Sequence, residues 1–146
     1  MNLPPPKRGD VIRYAYLWAD EYRRGREEAS KDRPAIVLAI AVRQSDGQIQ
    51  ILALAITHTP PKDPLDAVPL PQAVKRRLGL DQEQSWIVTT EANAFIWPGP
   101  DLRPIPDRDP PSVIYGRLPD KLLQAVAHSY LQNRQRQISS MVPRTS

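Results

Sequence analysis

The sequence predicts a mainly β domain, a small barrel of short strands with helices confined to its connections. Three observations carry this. Short apolar runs rich in β-branched and aromatic residues alternate with turn-forming segments. The 17 prolines are too many for a helical bundle, and they cluster outside those runs. Only one stretch, towards the C-terminus, carries a long apolar stripe at helical spacing. Strands that close on one another with helices between them make a small barrel. The 146 residues suit a single domain over 1–146, with 1–6 and 134–146 expected as flexible tails.

Asp10 to Trp18 (DVIRYAYLW) reads as the first strand. Ala19 to Asp32 carries mixed charge without apolar periodicity and is expected as a long, mobile loop. Pro34 to Val42 (PAIVLAIAV) is a continuous apolar run, the pattern of a strand buried on both faces. A glycine-containing turn at Ser45 to Gln48 returns the chain into Ile49 to Thr57, completing a hairpin. A proline-rich loop from His58 to Pro71 leads to a short helix at Gln72 to Leu78, closed by Gly79. Trp86 to Glu91 and Phe95 to Trp97 read as strands separated near Asn93, and Pro98 to Pro111 as a loop. Val113 to Tyr115 suits an edge strand. The final helix, from Pro119 to Gln132, aligns Leu122, Leu123, Val126, Ala127 and Tyr130 on one face. Beyond Asn133 the tail is polar and expected to fray.

Composition narrows the function. Without cysteine, disulfides and thiolate metal sites are excluded. No secretory signal or membrane-length apolar run appears, so the cytoplasm is the expected compartment. Twenty Lys and Arg against 16 Asp and Glu favour a polyanionic partner. Two histidines far apart in the sequence argue against a metal site.

Three constellations could carry chemistry: Arg33-Pro34 at the start of a strand, Thr57-His58-Thr59 at the end of its partner, and Thr89-Thr90-Glu91. Antiparallel pairing brings the start of one hairpin strand beside the end of the other, so Arg33 and Thr57-His58-Thr59 are expected to be neighbours. These groups suit RNA cleavage without metal, in which the 2′-hydroxyl attacks the adjacent phosphorus. A guanidinium stabilises the phosphorane. His58, or a buried Glu91, moves protons. Thr57 or Thr59 holds a phosphate oxygen. Each residue also has a commoner structural role. Arg33 could be an ion-pair partner, His58 a solvated loop residue, Thr57 and Thr59 turn caps and Glu91 a structural carboxylate. His128 is expected in a partly buried packing role beside the final helix's apolar stripe, and Trp86 is expected to pack into the core. Lys75, Arg76 and Arg77 read as a solvated helix face, while Trp18 and Trp97 suit either base stacking or packing.

An Arg-Gly-Asp-Val opening (Arg8 to Val11), Lys-x-Arg-Pro before an apolar strand (Lys31 to Pro34), an Ile-Thr strand end (Ile56-Thr57) and a Leu-Pro-led final helix resemble, in order and spacing, the PemK/MazF toxins of toxin–antitoxin pairs. The likeness runs from about Lys7 to Leu131, and Ser85 to Arg103 looks like a PemK-like subgroup signature. It implies an SH3-like barrel, a homodimer and metal-independent cleavage of single-stranded RNA. It also implies neutralisation by an acidic antitoxin and DNA binding by the toxin–antitoxin complex. By this resemblance the catalytic residues are Arg33, Thr57, His58 and Glu91. RNA contacts are assigned to Arg23, Arg24, Arg26, Lys31, Thr59 and Asn93, and no metal or cofactor is expected. The chain departs from the family at His58, which replaces a hydroxyl residue, at Thr89, where some members carry a second arginine, and in the long segment Lys62 to Gln84.

Overall fold

The computed structural model describes residues 3–20, 32–136 and 140–143. Among the described residues eight strands form one curled, mainly antiparallel sheet, a half-barrel. Strands β1 (Asp10–Tyr14), β2 (Arg33–Val42) and β3 (Ile49–Thr57) are consecutive neighbours. β4 (Ala67–Leu70) and β5 (Ser85–Val88) extend the sheet beyond β3, and β7 (Ile114–Arg117) closes the other edge on β1. β3 forks. Its C-terminal end pairs β5, whereas its N-terminal half pairs β6 (Glu91–Trp97), which in turn carries β8 (Ser140–Pro143) in parallel.

Successive residues of a strand face opposite sides of the sheet, so a strand buried on both sides must be apolar throughout. This explains the Ala35–Leu38 run. Ile36 and Leu38 join Val11, Leu54, Ile56, Ile87, Leu123 and Val126 in one core. Ala35 and Val37 face the other core with Ile12, Tyr14, Ala53, Ala55, Phe95 and Trp97. The expectation of burial along the whole run needs correcting. The register shifts between Val37 and Ala39, and the distal half of β2 extends towards solvent, with Val42 63% exposed.

Two helices cover the first core. α1 (Gln72–Leu78) ends at Gly79, whose left-handed φ of 75° lets the chain reverse. α2 (Asp120–Gln135) starts after Pro119, which occupies the N-cap position without a side-chain capping hydrogen bond. Its buried face is Leu123, Val126, Tyr130 and Asn133. The Asn133 amide donates to the Leu65 and Thr89 carbonyls and to Thr89 Oγ1 at 3.0–3.2 Å, tying α2 to the β5–β6 corner. Among the described residues no helix is long and apolar enough to cross a membrane.

Several expectations are corrected. β1 stops at Tyr14, not Trp18. The expected strand Trp86 to Glu91 breaks at Thr89-Thr90, and Glu91 opens β6 with Asn93 inside it. The loop expected from His58 to Pro71 contains a 3₁₀ turn at Pro64–Asp66 and then β4. α2 is not the last element, because β8 follows it and buries Val142 beside Leu17 and Ala19. Leu3, expected in a flexible tail, packs at the second core and accepts a 3.4 Å hydrogen bond from Trp97 Nε1. His128 is exposed, and Trp86 is half-buried, leaving Trp97 as the buried indole.

Gly116 sits at φ 150°, where an added Cβ would lie 2.7 Å from Leu78 Cδ2. Gly116→Ala is therefore expected to strain the backbone at this φ and to displace the Leu78 side chain, at a cost of about 1–3 kcal/mol. Chemical denaturation checks this: the midpoint should fall while the slope is unchanged.

Candidate active site

The hairpin register sets the site. Ala35 pairs with Ala55, and two residues further along each strand Arg33 and Thr57 reach the same end of the sheet. β5 adds Trp86 opposite Thr57, and β6 begins at Glu91. Beside these strand ends lies a cleft of about 810 Å³. Arg33, Thr57, His58, Thr59 and Glu91 all line it, together with Trp18. The neighbourhood expected of Arg33 and Thr57-His58-Thr59 is thus present. Arg23, Arg24, Arg26 and Lys31, with most of the Ala19 to Asp32 loop, lie outside the described residues.

One wall is the chain that follows β1. The Arg33 guanidinium carbon stands 5.0 Å from the centroid of the Trp18 ring, a cation–π contact. Trp18 meets Tyr16 edge to face, with centroids 5.0 Å apart. The Ala19 backbone N–H donates to Glu91 Oε2 at 2.8 Å, and the Tyr16 hydroxyl donates to the same oxygen at 3.3 Å. Burial, then the Glu91 charge, pushes the Tyr16 phenol well above its ordinary range, so it remains a donor. Asn93, two residues along β6 from Glu91, completes the tie. Its Oδ1 accepts from Leu17 N–H at 2.9 Å, and its Nδ2 donates to the Leu17 carbonyl at 2.7 Å.

Asn93 is therefore not an RNA contact. It is fully buried, and both ends of its amide are held by one backbone residue. Thr89 is likewise buried and bonded to Asp66 O and Ser129 Oγ, and it is not among the residues that line the cleft.

A second cluster, which includes the cleft residues His58, Lys75 and Asp81, was not anticipated. His58 Nε2 lies 2.9 Å from Asp81 Oδ2, and its Nδ1 lies 3.3 Å from Glu83 Oε2. Each ring nitrogen thus faces an acceptor-only carboxylate oxygen. Lys75, read from the sequence as solvated, is 1% exposed. Its ammonium donates to Asp81 Oδ1 and Ser85 Oγ, each at 2.6 Å, and to the Glu83 carbonyl. Partial burial alone would raise the Asp81 carboxyl. The hydrogen bond and charge of Lys75, with His58 and the Glu83 N–H, outweigh that and hold it below the ordinary carboxylate range. Thr57 Oγ1 accepts from Thr59 N–H at 3.2 Å, the turn-capping role, and its own hydroxyl proton can still be donated.

The donor atoms of His58, Asp81 and Glu83 lie within 4.8 Å of one another, the spacing of a candidate cation site. The two imidazole nitrogens point in divergent directions at different carboxylates, so one ion could engage only one of them. A buried ammonium already neutralises Asp81. The Lys75 ammonium on Asp81 and the exposure of all three groups weaken the cluster as a cation site.

Comparison with protein-family models finds no match, and comparison with curated proteins finds no significant match.

Proposed function

We propose that the protein is a metal-independent endoribonuclease, the toxin of a toxin–antitoxin pair, cleaving single-stranded RNA by attack of the substrate's own 2′-hydroxyl. The observation that carries this reading is the convergence of Arg33, Thr57, His58 and Glu91 on one cleft. In the proposed chemistry the 2′-oxygen bonds to phosphorus as its proton leaves to Glu91, an acceptor-only carboxylate. Arg33 stabilises the dianionic phosphorane with a charge that is already oriented on Trp18. The phosphorus–5′-oxygen bond then breaks while His58, flanked by Asp81 and Glu83, donates a proton to the leaving oxygen. The products are a 2′,3′-cyclic phosphate and a 5′-hydroxyl. Thr57 donates its hydroxyl proton to a non-bridging oxygen. The curled sheet fits the SH3-like barrel of the PemK/MazF resemblance, which also brings to the reading a homodimer, a cytoplasmic site of action and an acidic antitoxin.

One observation favours a second reading. Among the described lining groups, the carboxylates Asp32, Asp66, Asp81 and Glu91 outnumber the cations Arg33 and Lys75. A cleft so balanced suits a non-catalytic domain of the same fold that binds a protein partner or nucleic acid elsewhere on its surface. Incubating the purified protein with mixed-sequence RNA in excess EDTA separates the two. Fragments ending in cyclic phosphate are expected, whereas RNA left intact across many sequences would favour the second reading.

The same charge balance gives a quantitative expectation for affinity. If Arg33 is the only phosphate contact, binding of a cleavage-resistant 2′-O-methyl RNA should fall with salt at a log–log slope of about −0.7. If Arg23, Arg24, Arg26 and Lys31 also engage phosphates, the slope should approach about −3.5. The RNA-binding role assigned to those four residues requires the steeper value.

A further inference from the structure

We infer that Lys75 is the positioning residue of the cleft's histidine: a buried ammonium that fixes Asp81 and Glu83 on either side of the His58 ring. The inference rests on the reading of His58 as the proton donor, and its first test uses no RNA.

A lysine buried this completely is costly unless each of its protons finds an acceptor. Here all three do, and all three acceptors belong to one short segment, Asp81 to Ser85. The local chain makes this reachable. Gly79, in the left-handed region, ends α1, and Leu80 N–H returns to the Lys75 carbonyl at 3.0 Å. That reversal carries Asp81 back over the helix that bears Lys75.

The consequence for His58 follows from counting oxygens. Asp81 Oδ1 accepts from Lys75 at 2.6 Å and from the Glu83 N–H at 3.1 Å. Two donors on one oxygen fix the carboxylate, which is otherwise half exposed, and leave Oδ2 aimed at His58 Nε2. The same ammonium holds the Glu83 carbonyl, and so the backbone from which the Glu83 carboxylate reaches Nδ1. The Ser85 hydroxyl donates to that carbonyl as well, at 3.2 Å. Lys75 does not touch His58. It acts on the ring through the two carboxylates, and the low proton affinity of Asp81 keeps that partner charged.

The test is a double-mutant cycle read on the His58 ring by NMR at one fixed pH. The chain has two histidines, so His128→Gln assigns the ring signals. Asp81→Asn and Lys75→Met should each shift the His58 ring protons, and the double variant should match Lys75→Met alone, because Asp81 is no longer held in place. A full additional shift from Asp81→Asn in the Lys75→Met background, or no shift from Lys75→Met, would overturn the inference. If Lys75→Met gives a collapsed spectrum, Lys75→Gln, which keeps two donors, should give a partial shift in the same direction; an unshifted ring there is equally contrary. In the cleavage assay Lys75→Met should slow the wild-type enzyme but leave the residual rate of His58→Ala unchanged, whereas slowing in both would assign Lys75 a role that bypasses His58. Wild-type protein that cleaves no RNA would sink the nuclease reading alone, since the NMR cycle stands without it.

Discussion

Arg33→Ala is expected to lower RNA cleavage per folded molecule by about 10²–10³-fold, the typical loss of one preorganised charge donor. The guanidinium lies at the mouth of β2, half-buried against the Trp18 ring rather than within either core. Losing the Trp18 contact costs about 0.5–1 kcal/mol of stability, small beside the loss expected in rate. Arg33→Lys should recover part of the rate, because an ammonium keeps the charge but not the two-pronged grip on phosphate oxygens. On the structural alternative Arg33 serves only to hold Trp18, and alanine would bring the same loss of stability and leave the specific rate unchanged. Measuring both quantities on one preparation decides the matter.

The largest expected effect on stability is at Asn93. Asn93→Ala strips partners from the Leu17 N–H and carbonyl at a site with no solvent access. An unsatisfied buried backbone group costs roughly 1–3 kcal/mol, so the pair should cost about 2–6 kcal/mol. At this chain length that lowers the melting temperature by roughly 2–4 °C per kcal/mol. Asn93→Asp should not rescue, since it removes the donor to the Leu17 carbonyl and buries a charge. Cleavage should fall too, because Leu17 is flanked by Tyr16, Trp18 and Ala19, which hold Glu91 and Arg33. An Asn93→Ala protein of unchanged melting temperature but weaker RNA binding would return Asn93 to the role of RNA contact.

What the sequence revealed and what it hid have physical reasons. The β2–β3 hairpin was legible because both strands are apolar runs joined by a glycine turn, and its antiparallel sense placed Arg33 near Thr57 without further information. β4 was hidden by Pro69, which suits it because β4 is an outer strand where a missing N–H is tolerated. β8 was hidden because it pairs in parallel with β6 far earlier in the chain, a match no local pattern announces. Lys75 misled for a related reason. Within Lys75-Arg76-Arg77 it is indistinguishable from its exposed neighbours, and only the returning Asp81 to Ser85 segment covers it. Asn93 has the same character, since the groups that require its amide lie 76 residues earlier. The hydroxyl, imidazole and guanidinium of the cleft could be named from residue type and strand ends. The carboxylates that flank His58 could not, because they arrive on a loop.

The most direct test is cleavage, in excess EDTA, of an RNA oligonucleotide carrying one 2′-deoxynucleotide at the mapped cleavage position, beside its all-ribose counterpart. The all-ribose strand should be cut to a 2′,3′-cyclic phosphate and a 5′-hydroxyl, and the 2′-deoxy strand should stay intact at that position. Cutting of the deoxy strand there would contradict attack by the substrate's own 2′-hydroxyl, and with it the roles given to Arg33, His58 and Glu91.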